Sequence, residues 1–403
     1  MKILVLTKRQ YMGKDLLDDR FGRFRELPLE LAQLGHEVTG IACSYRRREE
    51  SVVLDFDPSR DGVVTWHSIN AVNGLTPRLG KFVNQALKLA AGFQPDLIWS
   101  CSDAYQVIFG AWLADRIRSK CVVDLYDNFE AFGASQVPGI LSLFRRAVRE
   151  AAGVTFFCRR LADYVTPTYH RAGTSSIIEN GVRKDLFFPR NRESCRQQLG
   201  LPKDAQIIGT AGALDSSRGI DTLFRGFERL ATEYSDLHLA IAGPRKFNLE
   251  IPRGPRIHDL KILSHEEVPV FVGALDVAVI CYRHSLQGDF SFPQKAYEIM
   301  ACGVPLTAAA VGSMNELLES HPGCLYQPED PASLAQSLRR QLTNRDLVEA
   351  NIPAWTDSAR KLERYFAEIL ASGEKHREIH SKIKFSTSES FPPAFRKQLH
   401  RAP

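Results

Sequence analysis

The chain has 403 residues, which is too long for a single core. Of these residues 44% are hydrophobic and 25% charged, a composition that is ordinary for a globular protein. Its formal net charge of +5 is too small for this length to indicate nucleic-acid binding, and no apolar run reaches the roughly 18 residues of a membrane-spanning helix. The eight cysteines are scattered without paired spacing, which argues against a zinc site or a disulfide framework and favours a reduced, cytoplasmic protein.

The first half of the chain alternates short apolar runs with helical periodicity, which is the pattern of parallel βαβ units. The first run, residues 1–7, is followed by Lys8 and Arg9, so we interpret it as a buried strand rather than a signal peptide. Strands are predicted at residues 2–7, 37–43, 63–67, 95–100 and 121–126. Helices are predicted at residues 24–34, 81–91, 104–118 and 141–152, the last of them basic.

The same pattern begins again after a turn-rich segment at residues 179–189. Strands are predicted at residues 206–211, 237–242, 277–281 and 305–310, and helices at residues 220–234, 266–275 and 331–342. The chain is therefore predicted to form two doubly wound α/β domains, at residues 1–190 and 191–353, with ligands at the carboxyl ends of the strands. A last helix is predicted within residues 354–372, and the polar, basic tail at residues 373–403 is predicted to be disordered or loosely attached.

The most informative segment of the chain is residues 292–305. It predicts a helix that starts at Pro293 and ends near Gly303. Lys295 and Glu298 are three residues apart and share one face of its first turns. A lysine at the amino end of a helix suits a diphosphate, and a carboxylate one turn later can accept two hydrogen bonds from a ribose diol. A surface ion pair on an ordinary helix is the alternative interpretation.

Five segments spread along the chain resemble motifs of the retaining nucleotide-sugar glycosyltransferases of family 4, which have the GT-B fold. These segments are Glu179–Pro189, Gly212–Asp221, Leu239–Gly243, Leu275–Val279 and Phe292–Pro305. The resemblance covers roughly residues 1–370 and is stronger in the second half. It implies two Rossmann-like domains that face a central cleft, the first binding the acceptor and the second the nucleotide sugar. It also implies that the helix at residues 354–372 crosses back to pack on the first domain.

The reaction that the resemblance implies is transfer of a hexose from a UDP- or GDP-sugar to an acceptor hydroxyl, with the anomeric configuration retained. Arg218, where the family has lysine, and Lys295 would stabilise the departing diphosphate, and Glu298 would bind the ribose. A guanidinium suits this role because it holds phosphate oxygens bidentately and keeps its charge. No cofactor is expected, and the resemblance implies that no metal is required; no Asp-x-Asp motif follows any of the strands predicted above.

Further donor contacts are expected from residues around these cations. Gly13, in the loop after the first strand, would let the backbone approach the donor phosphate or the acceptor. Gly212 opens the first motif of the second domain. Ser291 and Phe292 immediately precede the helix that carries Lys295.

Three positions depart from the family's pattern. Ala213 stands where many members have a phosphate-binding arginine, and Phe290 stands where many have a glutamate that meets the donor sugar. Asp289 is one residue away and is either a substitute for that glutamate or an exposed loop residue. Asp127 replaces a sugar-contacting histidine after the strand at residues 121–126. It is either a group that hydrogen-bonds a sugar or acceptor hydroxyl and is a candidate to aid catalysis, or the N-cap of the next helix.

The acceptor is expected to be a saccharide or a lipid-linked molecule of bacterial surface polysaccharide assembly, on the basis of family analogy. Basic clusters at residues 46–48 and 141–160 suggest peripheral contact with an anionic membrane at the inner face of the plasma membrane. Solvated surfaces, or a surface that faces a phosphate-bearing acceptor, are the alternative interpretations. Two alternatives remain open. Ala213 and Phe290 suggest a catalytically weak partner subunit, and a nucleotide-sugar epimerase would need acid and base carboxylates that the sequence does not identify.

Overall fold

The computed structural model describes residues 1–372 except residues 12, 59–60, 74–75, 78, 247–248, 287 and 292–293. The chain forms two compact units, one of residues 1–180 with residues 355 onward, and one of residues 181–354. The first unit ends before the predicted boundary near residue 190, because the segment after Gly181 packs within the second. Phe187 is buried there against His265, with ring centroids 5.6 Å apart. The predicted tail at residues 373–403 lies outside the described residues.

Unit 1 contains one large sheet and two small hairpins. Its strands are β1 (Lys2–Lys8), β2 (Gln10–Tyr11), β3 (Lys14–Asp15), β4 (Glu37–Ser44), β5 (Val52–Phe56), β6 (Val63–Asn70), β7 (Val72–Asn73), β8 (Thr76–Pro77), β9 (Leu97–Ser100), β10 (Lys120–Leu125), β11 (Gly153–Phe156) and β12 (Ser175–Ile177). The large sheet has eight strands in the order β12-β11-β10-β9-β1-β4-β6-β5, and every neighbouring pair is parallel except β5 with β6. The hairpins pair β2 with β3 and β7 with β8.

Helices cover the unit 1 sheet, as the strand sequences require. They are α1 (Arg23–Gln33), α2 (Leu79–Phe93), α3 (Ala104–Ile117), α4 (Ile140–Glu150) and α5 (Arg159–Thr168), with short 3₁₀ turns at Phe129–Ala131 and Gly133–Gln136. The central strand β1 shows why both faces are covered. Its residues from Ile3 to Leu6 are apolar and completely buried, as expected of a parallel strand between two layers.

Unit 2 has a smaller, wholly parallel sheet. Its strands are β13 (Gln206–Ala211), β14 (Leu237–Ala242), β15 (Ile257–Asp259), β16 (Val277–Ile280), β17 (Leu306–Ala309) and β18 (Leu325–Tyr326). Its helices are α6 (Arg192–Leu199), α7 (Ile220–Leu230), α8 (Val268–Ala274), α9 (Gln294–Ala301), α10 (Ser313–Leu317) and α11 (Pro331–Asn344). The strand order is β15-β14-β13-β16-β17-β18, which is the order of the Rossmann fold. The predicted α/β class with two Rossmann-like units is confirmed.

The last helix, α12 (Trp355–Ala371), belongs to unit 1. Phe366 is completely buried and lies edge-on to Trp99 of β9, with ring centroids 6.0 Å apart. The Tyr365 hydroxyl donates to the Thr174 carbonyl at 2.8 Å and accepts from the Val154 N–H at 3.0 Å. The helix therefore completes the core of unit 1. It is also hydrogen-bonded to β11 and to the residue that precedes β12, at one edge of the sheet.

The structure differs from several sequence predictions at element ends. The strands β5, β11, β12, β15 and β18, the hairpin strands β2, β3, β7 and β8, and the helices α5, α6 and α10 were not predicted. Helix α9 is described from Gln294 onward, and its predicted start, Pro293, lies outside the described residues. Two of the five arginines in the basic segment at residues 141–160 form close ion pairs. Arg145 pairs with Glu130 at 2.8 Å, and Arg146 pairs with Glu150 at 3.1 Å.

Candidate functional site

The unit 2 sheet changes direction of growth between β13 and β16, which are neighbours although their order along the chain is not consecutive. Ligands of open parallel sheets bind outside the carboxyl ends of the strands at such a point. The segment after β13 begins with Gly212, and the segment after β16 leads to α9 with Lys295 and Glu298. The fold of unit 2 therefore brings these predicted donor residues to one edge of one sheet, here named the donor edge.

Gly212 allows the Lys295 side chain to lie against the main chain at the end of β13. Its φ of 119° favours glycine, and a Cβ there would lie 2.5 Å from Lys295 Nζ and 2.7 Å from its Cε. A second glycine, Gly243, follows the neighbouring strand β14. A Cβ at this position would overlap the Gly212 carbonyl oxygen. Gly212 thus makes room for the ammonium group of Lys295, and Gly243 makes room for the main chain of Gly212.

Arg218 is positioned by the loop between β13 and α7. The Asp215 carboxylate accepts the main-chain N–H of Ser217 at 2.9 Å and starts a 3₁₀ turn that ends at Arg218. Lys246 pairs with the same carboxylate at 2.7 Å, which attaches the loop to the segment after β14. Gly219, with a φ of 83°, then starts α7. The arginine is half-buried at the end of this fixed turn.

Arg218 and Lys295 are neighbouring cations, and the repulsion between them lowers the pKa of the lysine. Burial, and then the positive charge of Arg218, lower the pKa of Lys295 to about 8. Within the described part of the chain, neither side chain has an ion pair or hydrogen bond to a carboxylate. Because like charges that share a site destabilise each other, a bound anion would relieve the repulsion and restore the charge of the lysine.

Glu298 lies one turn beyond Lys295 and is likewise half-buried. Burial raises its pKa to about 7, while the Gln294 amide, which donates to the carboxylate at 3.1 Å, and the charge of Lys295 oppose that rise. No ion pair joins Glu298 to Lys295, although both residues are described. A carboxylate in this state gains from additional hydrogen-bond donors, and the two hydroxyls of a ribose are suitable ones.

The other predicted donor contacts lie between β16 and α9. Asp289 is half-buried rather than exposed; its carboxylate accepts the Ser285 N–H at 3.1 Å and lies 2.9 Å from His284 Nδ1. The carboxylate thus stabilises its own loop. Ser291 is half-buried, and its N–H closes a turn of the same loop at 3.1 Å. Phe292 lies outside the described residues. The donor contacts of these three residues remain predictions.

Gly13 and Asp127 belong to unit 1. Gly13 has a φ of 75° between β2 and β3, and a Cβ there would meet no atom within 4 Å, so its conformation rather than a close contact favours glycine. Asp127 follows β10, is half-buried, and accepts the Asn128 N–H at 2.8 Å. Asn128 caps the following 3₁₀ turn and Gly139 precedes α4, so the capping interpretation of Asp127 is wrong.

Sequence reasoning missed further cations at the donor edge. Arg245 forms a bidentate pair with Asp259, both contacts at 2.8 Å, and Arg283 pairs with Asp221 of α7 at 2.8 Å. Both arginines follow predicted strands by a few residues, and that position is the signal that could have indicated them. Since each is paired with a carboxylate, they fix loops rather than add free positive charge.

Comparison with known proteins identifies the family. A family model described as a glycosyl transferase 4-like domain matches residues 23–181, and one described as glycosyl transferases group 1 matches residues 205–344. The first match lies in unit 1 except for its last residue, Gly181, and the second lies in unit 2. The chain belongs to the group 1 glycosyltransferases of the family 4 type, which confirms the resemblance seen in the sequence.

Individual relatives are more distant. A D-inositol 3-phosphate glycosyltransferase of Nocardioides sp. is 28% identical over 218 residues, which are 46% of this chain and 46% of the relative. The corresponding protein of Geodermatophilus obscurus is 28% identical over 233 residues, 54% of this chain and 50% of the relative. The chain thus spans about half the length of the curated relatives it matches.

Solved structures share the fold over most of the chain. A sucrose-phosphate synthase from Thermosynechococcus elongatus has a TM-score of 0.72 at 20% identity, covering 92% of this chain and 99% of that one. HepE of Anabaena, solved with UDP-glucose, has a TM-score of 0.65 at 17% identity, covering 92% of this chain and 100% of that one. These likenesses confirm the predicted GT-B fold.

Proposed function

We propose that the protein transfers a hexose from a UDP- or GDP-sugar to an acceptor hydroxyl, with retention of configuration and without a metal. The observation that carries the proposal is the pair of cations, Arg218 and Lys295, that lack a carboxylate partner among the described residues of the donor edge. Negative charge develops on the departing diphosphate during transfer. Two fixed cations stabilise that charge, and loss of one such donor typically costs roughly 3–4 kcal/mol of barrier.

The remaining residues take roles around this pair. Glu298 accepts the ribose hydroxyls, and Gly212 leaves the space in which Lys295 meets a phosphate. The loop before α9 supplies contacts to the sugar through Asp289 and its neighbours Ser291 and Phe292. Unit 1 supplies the acceptor site, where Asp127 hydrogen-bonds a hydroxyl. We assign no enzymic nucleophile, since the leaving phosphate can itself take the acceptor proton.

A binding panel tests the donor site. UDP, GDP, ADP and their sugars are titrated by calorimetry into wild-type protein, Lys295→Ala, and the control Lys184→Ala, which changes an exposed lysine of unit 2. Binding of one nucleotide that is lost only in Lys295→Ala supports the proposal. Absence of binding in well-folded protein refutes it and favours the partner-subunit alternative, for which Ala213 and Phe290 are the motivation.

A transfer assay tests the reaction itself. The nucleotide sugar selected by the panel is incubated with saccharide and lipid-linked acceptors and, because curated relatives are named D-inositol 3-phosphate glycosyltransferases, with inositol 3-phosphate. The proposal expects a product with the donor's anomeric configuration by NMR, formed equally well in EDTA. An inverted product, or a requirement for a divalent cation, would refute the corresponding part of the proposal.

We further propose that the protein lies at the cytoplasmic face of the membrane through one edge of unit 1. No helix in the described ranges is both long and apolar enough to cross a bilayer. Residues 46–48 are exposed arginines, and the nearby edge strand turns Val52, Leu54 and Phe56 outward, 62%, 57% and 45% exposed. Cations beside exposed apolar side chains are the combination that binds anionic lipid surfaces.

Vesicle flotation tests this location. Wild-type protein should float with phosphatidylglycerol vesicles and not with phosphatidylcholine vesicles. Leu54→Ser should reduce the bound fraction, whereas the control Ile262→Ser, at an exposed apolar residue of unit 2, should not. Equal binding by the two variants would refute the assignment of this edge.

A further inference from the structure

A pocket lies at the amino-terminal edge of the unit 2 sheet, opposite the donor edge. Its volume is about 360 Å³, which is in the range of small-molecule sites. Six of its lining residues carry the argument: Arg192, Arg196, Gln206, Asp276, Gln341 and Arg345. Gln206 is the first residue of the six-residue strand β13, and Gly212 follows the last, so the pocket and the donor edge are roughly 20 Å apart.

Three arginines of this pocket converge on one carboxylate. Asp276 pairs with Arg192, with Arg196 at 2.6 Å and with Arg345 at 3.3 Å. Arg196 is buried and also donates to three main-chain carbonyls, so its role is structural. Arg192 and Arg345 are partly exposed, and each is bonded through one nitrogen to Asp276. The rest of each guanidinium can therefore bind another anion.

The other charged residues of the lining leave the balance positive. Lys203 and Glu193 pair at 3.2 Å and offset each other, and Asp204 adds one exposed carboxylate. Apart from the Lys203–Glu193 pair, the lining thus has three arginines and two carboxylates, those of Asp276 and Asp204. A small anion is attracted to such a pocket, and the two partly exposed guanidinium groups offer it forked, bidentate hydrogen bonds.

The backbone of Arg345 has a conformation that is unfavourable for residues other than glycine. Arg345 follows α11 as the C-cap, with a φ of 53° and a ψ of 50°, in the left-handed region where glycine is normally preferred. A glycine would close the helix as well and with less strain. Arg118 caps α3 in the same conformation, so the turn alone does not distinguish Arg345. What distinguishes Arg345 is the contact of its side chain with the pocket carboxylate at 3.3 Å.

The pocket also contains unpaired hydrogen-bond acceptors. Gln341 is completely buried; its Nε2 donates to Cys324 Sγ at 2.9 Å, and its Oε1 has no hydrogen-bond partner among the described residues. Gln206 Oε1 is buried and unpaired in the same sense. A buried oxygen without a donor is costly, so either glutamine gains if it turns this oxygen toward a pocket ligand that donates a hydrogen bond.

We propose that this pocket binds a small phosphate monoester that carries hydroxyl groups, with the phosphate on Arg192 and Arg345 and the hydroxyls donating to Gln206 and Gln341. The site is separate from the donor edge and does not depend on the reaction proposed above. A hexose phosphate has the required chemistry and fits the volume. Free phosphate shares part of that chemistry and should bind more weakly, because it cannot reach both glutamine oxygens.

Calorimetry with glucose 6-phosphate, inorganic phosphate and glucose tests the proposal on the full chain. Glucose 6-phosphate should bind more tightly than phosphate, and glucose should not bind measurably. Arg345→Gly should weaken glucose 6-phosphate roughly tenfold or more, because charge-assisted hydrogen bonds are lost. Arg339→Gln is the matched control, since it removes one exposed arginine from α11 outside the pocket. Arg192→Gln replaces Arg345→Gly if that variant does not fold.

Two further variants make the outcome decisive. Gln341→Met should weaken glucose 6-phosphate and leave phosphate binding unchanged, which separates recognition of hydroxyls from recognition of phosphate. Arg218→Gln should leave the binding of glucose 6-phosphate and the binding of phosphate unchanged. If binding is lost in Arg218→Gln and kept in Arg345→Gly, the ligand occupies the donor edge and the proposal is overturned. Absence of binding by all three compounds, or equal loss in Arg339→Gln, overturns it as well.

Discussion

The affinity of the protein for UDP should fall as the pH rises above about 8, because Lys295 then loses its proton. Burial and the charge of Arg218 lower the pKa of this lysine to about 8 in the free protein. A diphosphate between the two cations favours the ammonium form and raises the pKa in the complex. Binding above pH 8 must therefore include uptake of a proton, and linkage makes the affinity depend on pH.

The size of the effect follows from the protonated fraction of the free protein. With a pKa of about 8, about three quarters of Lys295 is charged at about pH 7.5 and about a tenth at about pH 9. If the lysine is fully charged in the complex, the dissociation constant for UDP rises about eightfold across this interval. Glu298, whose pKa is about 7, is mostly ionised throughout and contributes little.

Calorimetric titrations at several pH values, with the variant Lys295→Arg measured in parallel, test this reasoning. Arginine keeps its charge far above this interval, so the variant should bind UDP with a nearly constant affinity and correct for titration of the nucleotide. Repeating the titrations near pH 8.5 in buffers of different ionisation enthalpy should show proton uptake by the wild type alone. A wild-type affinity independent of pH, or an equal decline in Lys295→Arg, would refute the assignment to Lys295.

Three further predictions concern single contacts. Gly212→Ala should retain the fold but weaken UDP at least tenfold in calorimetry, because its Cβ would displace Lys295; unchanged affinity would contradict the close approach. Phe366→Ala should lower the free energy of unfolding of unit 1 by about 3–5 kcal/mol in urea titrations, and a loss below about 1 kcal/mol would show that the last helix contributes little to the core. Arg23→Met should cost about 3–5 kcal/mol in the same assay, because it leaves the buried Asp124 carboxylate without its bidentate partner; addition of Asp124→Leu should restore part of that loss.

Hydrophobic periodicity predicted strands and helices whose apolar residues face inward and whose charged residues face outward. It failed for β5, in which this arrangement is reversed. In β5 the apolar Val52, Leu54 and Phe56 face outward, while Asp55 faces inward and pairs with Arg25 at 3.2 Å. A strand with its charge buried and its apolar residues exposed has no sequence signature of a half-buried strand. Knowledge of the buried arginine on α1 would have been needed to recognise it.

The candidate site was predicted at the level of residue types and strand ends, and not at the level of contacts. Start and stop signals gave the helix that carries Lys295, and strand alternation gave the edge on which it lies. The approach of Lys295 to Gly212 depends on how α9 crosses the end of β13, which neither segment encodes alone. The pKa of Glu298 depends similarly on burial by distant residues and on the local amide of Gln294.

Ala213 bears on how strictly the donor edge depends on its two free cations. Ala213 is exposed, and no arginine stands there to share the phosphate charge. The other cations named at this edge are no substitute, because Lys246, Arg245 and Arg283 are each paired with an aspartate. The diphosphate charge must therefore be carried by Arg218 and Lys295 alone among these groups. Removal of either should consequently cause a larger loss in this chain than in a relative with three free cations, and a scaffold without donor binding would have no reason to keep both unpaired.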